Sequence, residues 1–247
     1  MAFSYSIFYT LLYKINHRLI PGLINSKMLY NYLKSKGVDV GENTVFFDAR
    51  NIKIDVTRPE LLRIGSFCKI TSGVTVLTHD YSRSVLRRVY GEIINEAEET
   101  IIENNVFIGM NAILLMGTHI GENSIVGAGS VCKGTYPSNS VIAGNPAKVI
   151  STLDEFYKKR KERYVEEAFS YYNILKRKKG HTPTIGDMDA FFPLYLERKV
   201  SELRKNSLRT NLSGDDEDSV ISDFLSTTPV FYDYEEFKKL AENWSKE

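Results

Sequence analysis

The stretch Ile101–Gly134, IIENNVFIGMNAILLMGTHIGENSIVGAGSVCKG, decides the fold. An apolar residue recurs in it every six positions, at Ile102, Ile108, Leu114, Ile120, Val126 and Cys132. The same period occurs upstream at Ile64, Ile70 and Val76, and more weakly at Val40, Phe46 and Ile52. With 43% hydrophobic residues in the chain, nine hits in nine slots arise by chance in roughly one chain in two thousand, before choice of register. Small or β-branched residues follow at a fixed offset of four, at Cys68, Val74, Val106, Ala112, Thr118, Ser124 and Ser130. Glycine directly follows the key position at Gly41, Gly65, Gly109, Gly121 and Gly127. An α-helix turns through about 600° in six residues and cannot keep such positions on one face. A flat strand needs a period of two. A coil with three flat sides satisfies a period of six. Each side is a short strand, the key residue points inward, and Gly or Asn makes the tight corner. Stacked coils bury one aliphatic column and pair their backbones with the coils above and below.

Outward from this stretch, the 247 residues hold enough apolar material for a real core. Lys plus Arg number 32 and Asp plus Glu 31, a net charge of +1, which offers no global field for nucleic acid. The 2 cysteines, Cys68 and Cys132, exclude a disulfide-rich scaffold and fit a reducing compartment. Both fall at inward-pointing positions, where a thiol is inert packing rather than an acyl-carrying nucleophile. No apolar run is long enough to span a membrane and no signal-peptide pattern opens the chain, so the expected location is the cytoplasm.

Three strings, RIGSFCKITSGVTVLTHDYS, IIENNVFIGMNAILLMGTHIGENSIVGAGSVCKG and VIAGNPAKVI, resemble the hexapeptide-repeat acyltransferases. The nearest resemblance is to the maltose and galactoside O-acetyltransferases and their polysaccharide-modifying relatives, over about residues 38–150. It implies a mainly β fold, a left-handed parallel β-helix; the handedness comes from the family, since it opposes the usual right-handed crossover. The expected organisation is a helical segment over 1–37, the β-helix over 38–150 and an α-helical extension over 151–247. The resemblance also implies a homotrimer with active sites between subunits, and acetyl-CoA as acyl donor.

The period breaks after Val76 and resumes at Ile102, leaving a loop insert at about 78–100 rich in Arg, Glu and Tyr. Long excursions from a solenoid often bind something. His79 opens the insert. An alcohol is a poor nucleophile at neutral pH, and a histidine base can take its proton as oxygen attacks a thioester. The resemblance implies that role for His79. The imidazole needs its other nitrogen held by an acceptor. Asp80 is adjacent in sequence, while Asp48, Glu92 and a backbone carbonyl are open alternatives. Gly91-Glu92 resembles a Gly-Glu pair of the sugar acetyltransferases, which favours Glu92 as the loop carboxylate; the other reading is a solvated charge. Asn51 lies near the place where those enzymes carry an asparagine that contacts the acceptor or the oxyanion; the other reading is a turn residue.

On the coenzyme side, the resemblance implies backbone contacts at Gly109 and Ala128, with Lys133 and Lys148 near the anionic nucleotide end. The GNPAK string at Gly144–Lys148 marks the exit from the solenoid, where Pro146 cannot donate to a ladder. No metal is expected. Only His79 and His119 of the 4 histidines lie in the repeat, fewer than a zinc site needs. His119 reads as a solvated corner.

The ends are less informative. Residues 1–36 are aromatic and basic, with Pro21-Gly22 separating two short helices. They read either as a cap on the first coil or as a peripheral contact with the inner membrane face. After Val149, Thr152 and Glu155 form a capping box for a helix whose stripe runs Leu153, Phe156, Tyr157, Tyr164, Ala168, Tyr172 and Leu175, stopping at Gly180. Further helices are expected around Asp187–Lys205 and Tyr234–Ser245, with SGDDEDS as an exposed acidic loop. The chain as a whole reads as an acetyl-CoA-dependent O-acetyltransferase acting on a carbohydrate hydroxyl in surface-polysaccharide or glycoconjugate synthesis. The alternatives are a sugar-amine N-acetyltransferase, an antibiotic acetyltransferase and, more remotely, a non-catalytic β-helix scaffold.

Overall fold

The computed structural model describes residues 10–12, 14, 24–208, 210 and 214–244. The helix α1 (Ser26–Lys36) starts at Asn25, whose side chain accepts from the Met28 N–H. It ends at Gly37, which takes φ +93°, a conformation that glycine adopts without a side-chain clash. The chain then winds into coils. The first holds β1 (Asp39–Val40), β2 (Val45–Phe46) and β3 (Lys53–Ile54). The second holds β4 (Leu62–Ile64), β5 (Lys69–Ile70) and β6 (Thr75–Val76), and is followed by α2 (Arg83–Tyr90). The third holds β7 (Thr100–Ile102), β8 (Phe107–Ile108) and β9 (Ile113–Leu114), and the fourth β10 (His119–Ile120), β11 (Ile125–Val126) and β12 (Val131–Cys132). β13 (Thr135–Tyr136) and β14 (Ser140–Gly144) begin a fifth, and β15 (Ala147–Thr152) folds back antiparallel on β14.

Strands pair with their counterparts one coil away, all parallel except β14–β15, giving three sheets ordered β1-β4-β7-β10-β13, β2-β5-β8-β11-β14-β15 and β3-β6-β9-β12. This is a three-sided parallel β-helix. Ile64 pairs with Ile102 and Ile102 with Ile120, while Ile70 pairs with Ile108 and Val76 with Leu114. All nine residues of the main six-residue period are fully buried in one continuous core. Each large aliphatic side chain taken wholly out of water contributes about 1.5–3 kcal/mol. The small residues four positions on are buried too. The hydroxyls among them are satisfied: Thr118 donates to the Cys132 carbonyl at 2.9 Å and Ser130 to the Gly127 carbonyl at 2.7 Å.

One slot of the period differs. In the first coil, Ile54 rather than Ile52 is the partner of Val76. A 3-10 turn at Ala49–Asn51 lengthens that corner and shifts the register. The corner after the first sheet is a column of left-handed residues, Asn43, Phe67, Asn105, Asn123 and Asn139. Asn105 donates to Asn123 at 2.9 Å, tying adjacent coils. Asparagine tolerates this conformation; Phe67, exposed at the same corner, has no such local reason.

The chain divides into two compact units, Met1–Phe156 and Tyr157–Glu247. In the first, Leu29 and Leu33 of α1 belong to the same buried core as Val40 and Phe46, and the Ser26 hydroxyl accepts from the Phe46 N–H at 2.9 Å. Of the two helices expected on either side of Pro21-Gly22, the second is α1, and the first lies largely outside the described residues. The helix α3 (Leu153–Lys179) begins with the expected box: Thr152 N–H donates to Glu155 at 2.9 Å and Glu155 N–H to the Thr152 hydroxyl at 3.2 Å. In the second unit, Ala168 and Tyr172 of α3 are buried with Phe192, Tyr195, Leu203, Phe224 and Phe237. Tyr157, by contrast, is exposed, so the inward stripe of α3 begins at Tyr164.

Two tail expectations change. Asp187–Lys205 is not one helix but two 3-10 turns, Gly186–Met188 and Phe192–Leu194, followed by α4 (Val200–Lys205). Pro193 explains the break, because in a helix interior its ring clashes with the carbonyl four residues back. The acidic run is only in part a loop. Asp216 caps α5 (Glu217–Ser226) and accepts from the Ser219 N–H at 3.0 Å, a favourable place for negative charge at a helix start. The last helix, α6 (Tyr234–Asn243), is capped by Asp233.

Coil spacing leaves no room at some corners. A Cβ on Gly121 would lie 2.4 Å from the Ser138 nitrogen, whereas at Gly134 nothing lies within 4 Å. Gly121→Ala is expected to lose about 1–3 kcal/mol by overpacking against backbone. Gly134→Ala should lose about 1 kcal/mol, from its φ of +84° alone. Thermal denaturation of the two variants checks the order.

Candidate active site

Both long excursions of the first unit leave from the corner after the third sheet. Residues 55–61 leave after β3, and the insert leaves after β6. Because Ile54 stacks on Val76, the residues next in the chain, Asp55 and Leu77–His79, emerge side by side from adjacent coils. The Asp55 N–H donates to the Val76 carbonyl at 2.9 Å. Its carboxylate then gathers donors. Oδ1 accepts from Thr57 N–H at 2.9 Å, and Oδ2 accepts from Thr78 N–H at 3.1 Å, from the Thr78 hydroxyl and from His79 Nδ1. The side chains of Asp55 and His79 are 8% and 17% exposed. Burial alone would raise the Asp55 carboxyl, but hydrogen bonds from Thr57, Thr78 and His79 outweigh it and hold the group well below the usual carboxylate range. An ionised carboxylate only accepts, so Nδ1 carries a proton, and in the neutral ring Nε2 presents the lone pair. Nε2 has no hydrogen-bond partner among the described residues.

His79 lines a cleft of about 250 Å³ together with Thr57, Arg58, Tyr81, Arg87 and Ile93. The Tyr81 ring packs edge-on against the imidazole, with centroids 4.4 Å apart. The return limb of the insert is pinned at Glu96. Its carbonyl accepts from Arg58 at 2.8 Å and Arg83 at 3.3 Å, and its carboxylate pairs with Arg83 at 3.3 Å.

The other sequence-selected residues fall in separate places. Asn51 donates its side-chain amide to Asp48 at the corner after the second sheet, and Asp48 also accepts from Ser72 at 2.7 Å. Glu92 is exposed just past Gly91, which ends α2. Gly109 and Ala128 are brought together, since a Cβ at Gly109 would lie 2.5 Å from the Ala128 nitrogen. Lys133 is exposed at the corner after the third sheet, the corner that carries His79, and its charge helps lower the Asp80 carboxyl, behind the larger hydrogen bonds from Ser82 and the Arg83 charge. Lys148 is exposed on β15 opposite Ala143.

The residue missed from sequence is Asp55. The signal for it is the coil register: once Ile54 rather than Ile52 is placed under Val76, Asp55 falls beside the root of the insert. His119 also differs from expectation. It is a strand residue, 34% exposed, and its Nε2 lies 2.7 Å from Glu103 on the coil below. Among the described residues no group of three or more His, Cys, Asp and Glu could hold a metal ion. Both cysteines are buried, and burial pushes the Cys68 thiol up and the Cys132 thiol up to about 11.

A family model described as the hexapeptide repeat of succinyl-transferase matches residues 99–132. Protein CapG from Staphylococcus aureus is 38% identical over 143 residues, spanning 56% of this chain and 80% of that protein. The chain belongs to the hexapeptide-repeat acyltransferase family. A 2,3,4,5-tetrahydropyridine-2,6-dicarboxylate N-acetyltransferase from Clostridium perfringens is 48% identical over 62 residues, which cover 25% of this chain and 26% of that protein. Among solved structures, a maltose O-acetyltransferase from Clostridium difficile 630 aligns with a TM-score of 0.42 at 22% identity, over 61% of this chain and 87% of that one. Of this family member, no helix among the described residues is long and apolar enough to cross a membrane.

The Asp55 carboxyl titrates lower folded than unfolded. Its stabilising contribution is therefore present above the unfolded value near 4 and fades as pH falls through that value toward the folded one. Asp55→Asn should lower stability at pH 7 by about 1–3 kcal/mol, the cost of setting an amide NH2 against donors that a carboxylate oxygen now accepts. The gap from wild type should narrow below about pH 4, as read from denaturation midpoints across pH.

Proposed function

We propose that the protein is an acetyl-CoA-dependent O-acetyltransferase with His79 as general base. The observation that carries this reading is the imidazole itself. Nδ1 is held by an ionised carboxylate, Nε2 is unpartnered among the described residues, and the ring lines a cleft. The acceptor hydroxyl donates its proton to Nε2 as its oxygen attacks the thioester carbonyl carbon. The carbon–sulfur bond then breaks, and the imidazolium returns the proton to the leaving thiolate. Asp55 keeps the ring in the tautomer this needs and stabilises its charged form. The buried, raised thiols favour direct transfer in a ternary complex over an acyl-cysteine.

Coenzyme A would lie along the coil edge at Gly109 and Ala128, where a Cβ on buried Gly109 would lie 2.5 Å from the nitrogen of exposed Ala128, so that a thin pantetheine arm meets no side chain between the coils. Lys133 and Lys148 would meet its phosphates. Asn51 remains a candidate contact for the acceptor or the oxyanion, whereas Glu92, expected as the loop carboxylate that holds the imidazole, is exposed past the end of α2 and yields that role to Asp55. The coils are taken as left-handed and the working unit as a homotrimer, organised as 1–37, 38–150 and 151–247, with α1 as part of a cap. The acceptor is a carbohydrate hydroxyl in surface-polysaccharide or glycoconjugate synthesis, in the cytoplasm or at the inner membrane face. The match to an N-acetyltransferase keeps an amine acceptor as the second reading.

The test is acetyl-CoA-dependent thiol release over a panel of sugars, nucleotide sugars, amino sugars and antibiotics. His79→Ala should lower kcat about 10²–10⁴-fold while calorimetry shows coenzyme binding intact. Equal turnover in the variant would remove His79 from the role. Failure of the wild type to bind acetyl-CoA would leave a non-catalytic scaffold. Alkylation followed by mass spectrometry offers a second check: neither cysteine should be modified in the folded protein at pH 7.5.

A further inference from the structure

The insert helix α2 is amphipathic in an unusual sense. Val85, Val89 and Tyr90 are each more than 60% exposed, while Arg83, Ser84 and Arg87 line the cleft that holds His79. Arg83 and Arg87 are one turn apart and therefore share a face. A surface helix ordinarily buries its apolar face and gives its charges to water. Here the cationic face is turned into the molecule's own cleft.

The partners of these cations distinguish them. Arg58 and Arg83 bind Glu96 and thereby hold the loop. Arg83 also donates to the Asp80 carbonyl. The one carboxylate lining the cleft is Asp80, and it accepts from the Ser82 N–H at 2.7 Å. Arg87 has neither a hydrogen bond nor an ion pair among the described residues. The cleft therefore holds three guanidinium groups against one lining carboxylate, with Glu96 offsetting Arg83. Asp55, bonded to the imidazole, balances a further charge, so what sets the cleft apart is the Arg87 guanidinium, unpartnered among the described residues, on the same lining as His79. A guanidinium presents a planar fork suited to carboxylate or phosphate.

We infer that the acceptor is anionic, a sugar bearing a carboxylate or phosphate group that Arg87 binds while its hydroxyl faces His79. The chemistry after binding rests on the acetyl-transfer reading, but binding itself can be tested apart from turnover. The rival source of the same anion is the coenzyme's own phosphates.

The experiment is calorimetric titration of the CoA-loaded protein with glucuronate, glucose 1-phosphate and glucose. At least one of the two anionic sugars should bind ten or more times more tightly than glucose, and which one does so separates carboxylate from phosphate. Arg87→Gln should abolish that preference and Arg87→Lys should restore part of it, with the Kd for CoA within twofold of wild type throughout. Three results would overturn the inference: glucose binding as tightly as both anions, a preference that survives Arg87→Gln, or no sugar binding up to 10-fold above about 1 mM, a typical upper substrate affinity. A tenfold rise in the CoA Kd of Arg87→Gln would also overturn it, by giving the anion to the coenzyme. Thiol release, measured separately, decides whether acetyl transfer itself is correct.

Discussion

Register between stacked coils is the constraint on which the first unit depends. Each inward side chain sits directly over its equivalent one coil away, and each strand takes its hydrogen bonds from the same neighbour. Extra residues cannot enter a side without breaking both. They can enter only at corners, and the chain must rejoin the stack in phase. Ile64 and Ile102 are paired neighbours although the whole insert separates them. The core is insensitive to what happens between them, and this freedom lets a functional loop be added at no cost to packing.

The same constraint builds the candidate site. Asp55 and His79 are distant in sequence, but each comes just after the end of a strand in the third sheet, and those strands are adjacent. Stacking turns two corner residues into a hydrogen-bonded pair. The backbone supplies part of the environment as well, because the Thr57 and Thr78 amides that hold Asp55 ionised come from the same two corners. The histidine is thus oriented from the rigid coil and not from the loop it introduces. The loop contributes the opposite wall, held by two arginines on Glu96.

How much of this is legible in the sequence depends on whether a rule is periodic. The aliphatic column from Ile64 to Cys132 obeys a fixed spacing, so its burial follows from counting. The Thr152–Glu155 box and the Gly180 stop follow from local chemistry that acts within one turn. The Asp55–His79 pair does not follow as directly, because a 3-10 turn at Ala49–Asn51 shifts the count by two just before Asp55. Counting then favours Ile52, and Asp55 goes unnoticed. The tail is hardest, because its core is aromatic and irregular. Pro193 interrupts what otherwise scans as a helix, and Asp216 converts part of an acidic run into a helix start. His119 shows a related limit: its outward position is periodic, but its pairing with Glu103 depends on which residue stands one coil below.

The final turn-back of β15 on β14 bears on solubility. A parallel stack ends in a row of free amides and carbonyls, which is a template for adding another coil from a second molecule. Here the last coil is not left open along the second sheet. β15 occupies the edge in the opposite direction, with an irregular register between Val141 and Ile142, and Pro146 and Lys148 lie at its beginning. A coil from another chain would meet the wrong strand polarity and a broken hydrogen-bond spacing. The string that marks the end of the repeat thus also serves as a terminator against open-ended, fibre-like growth.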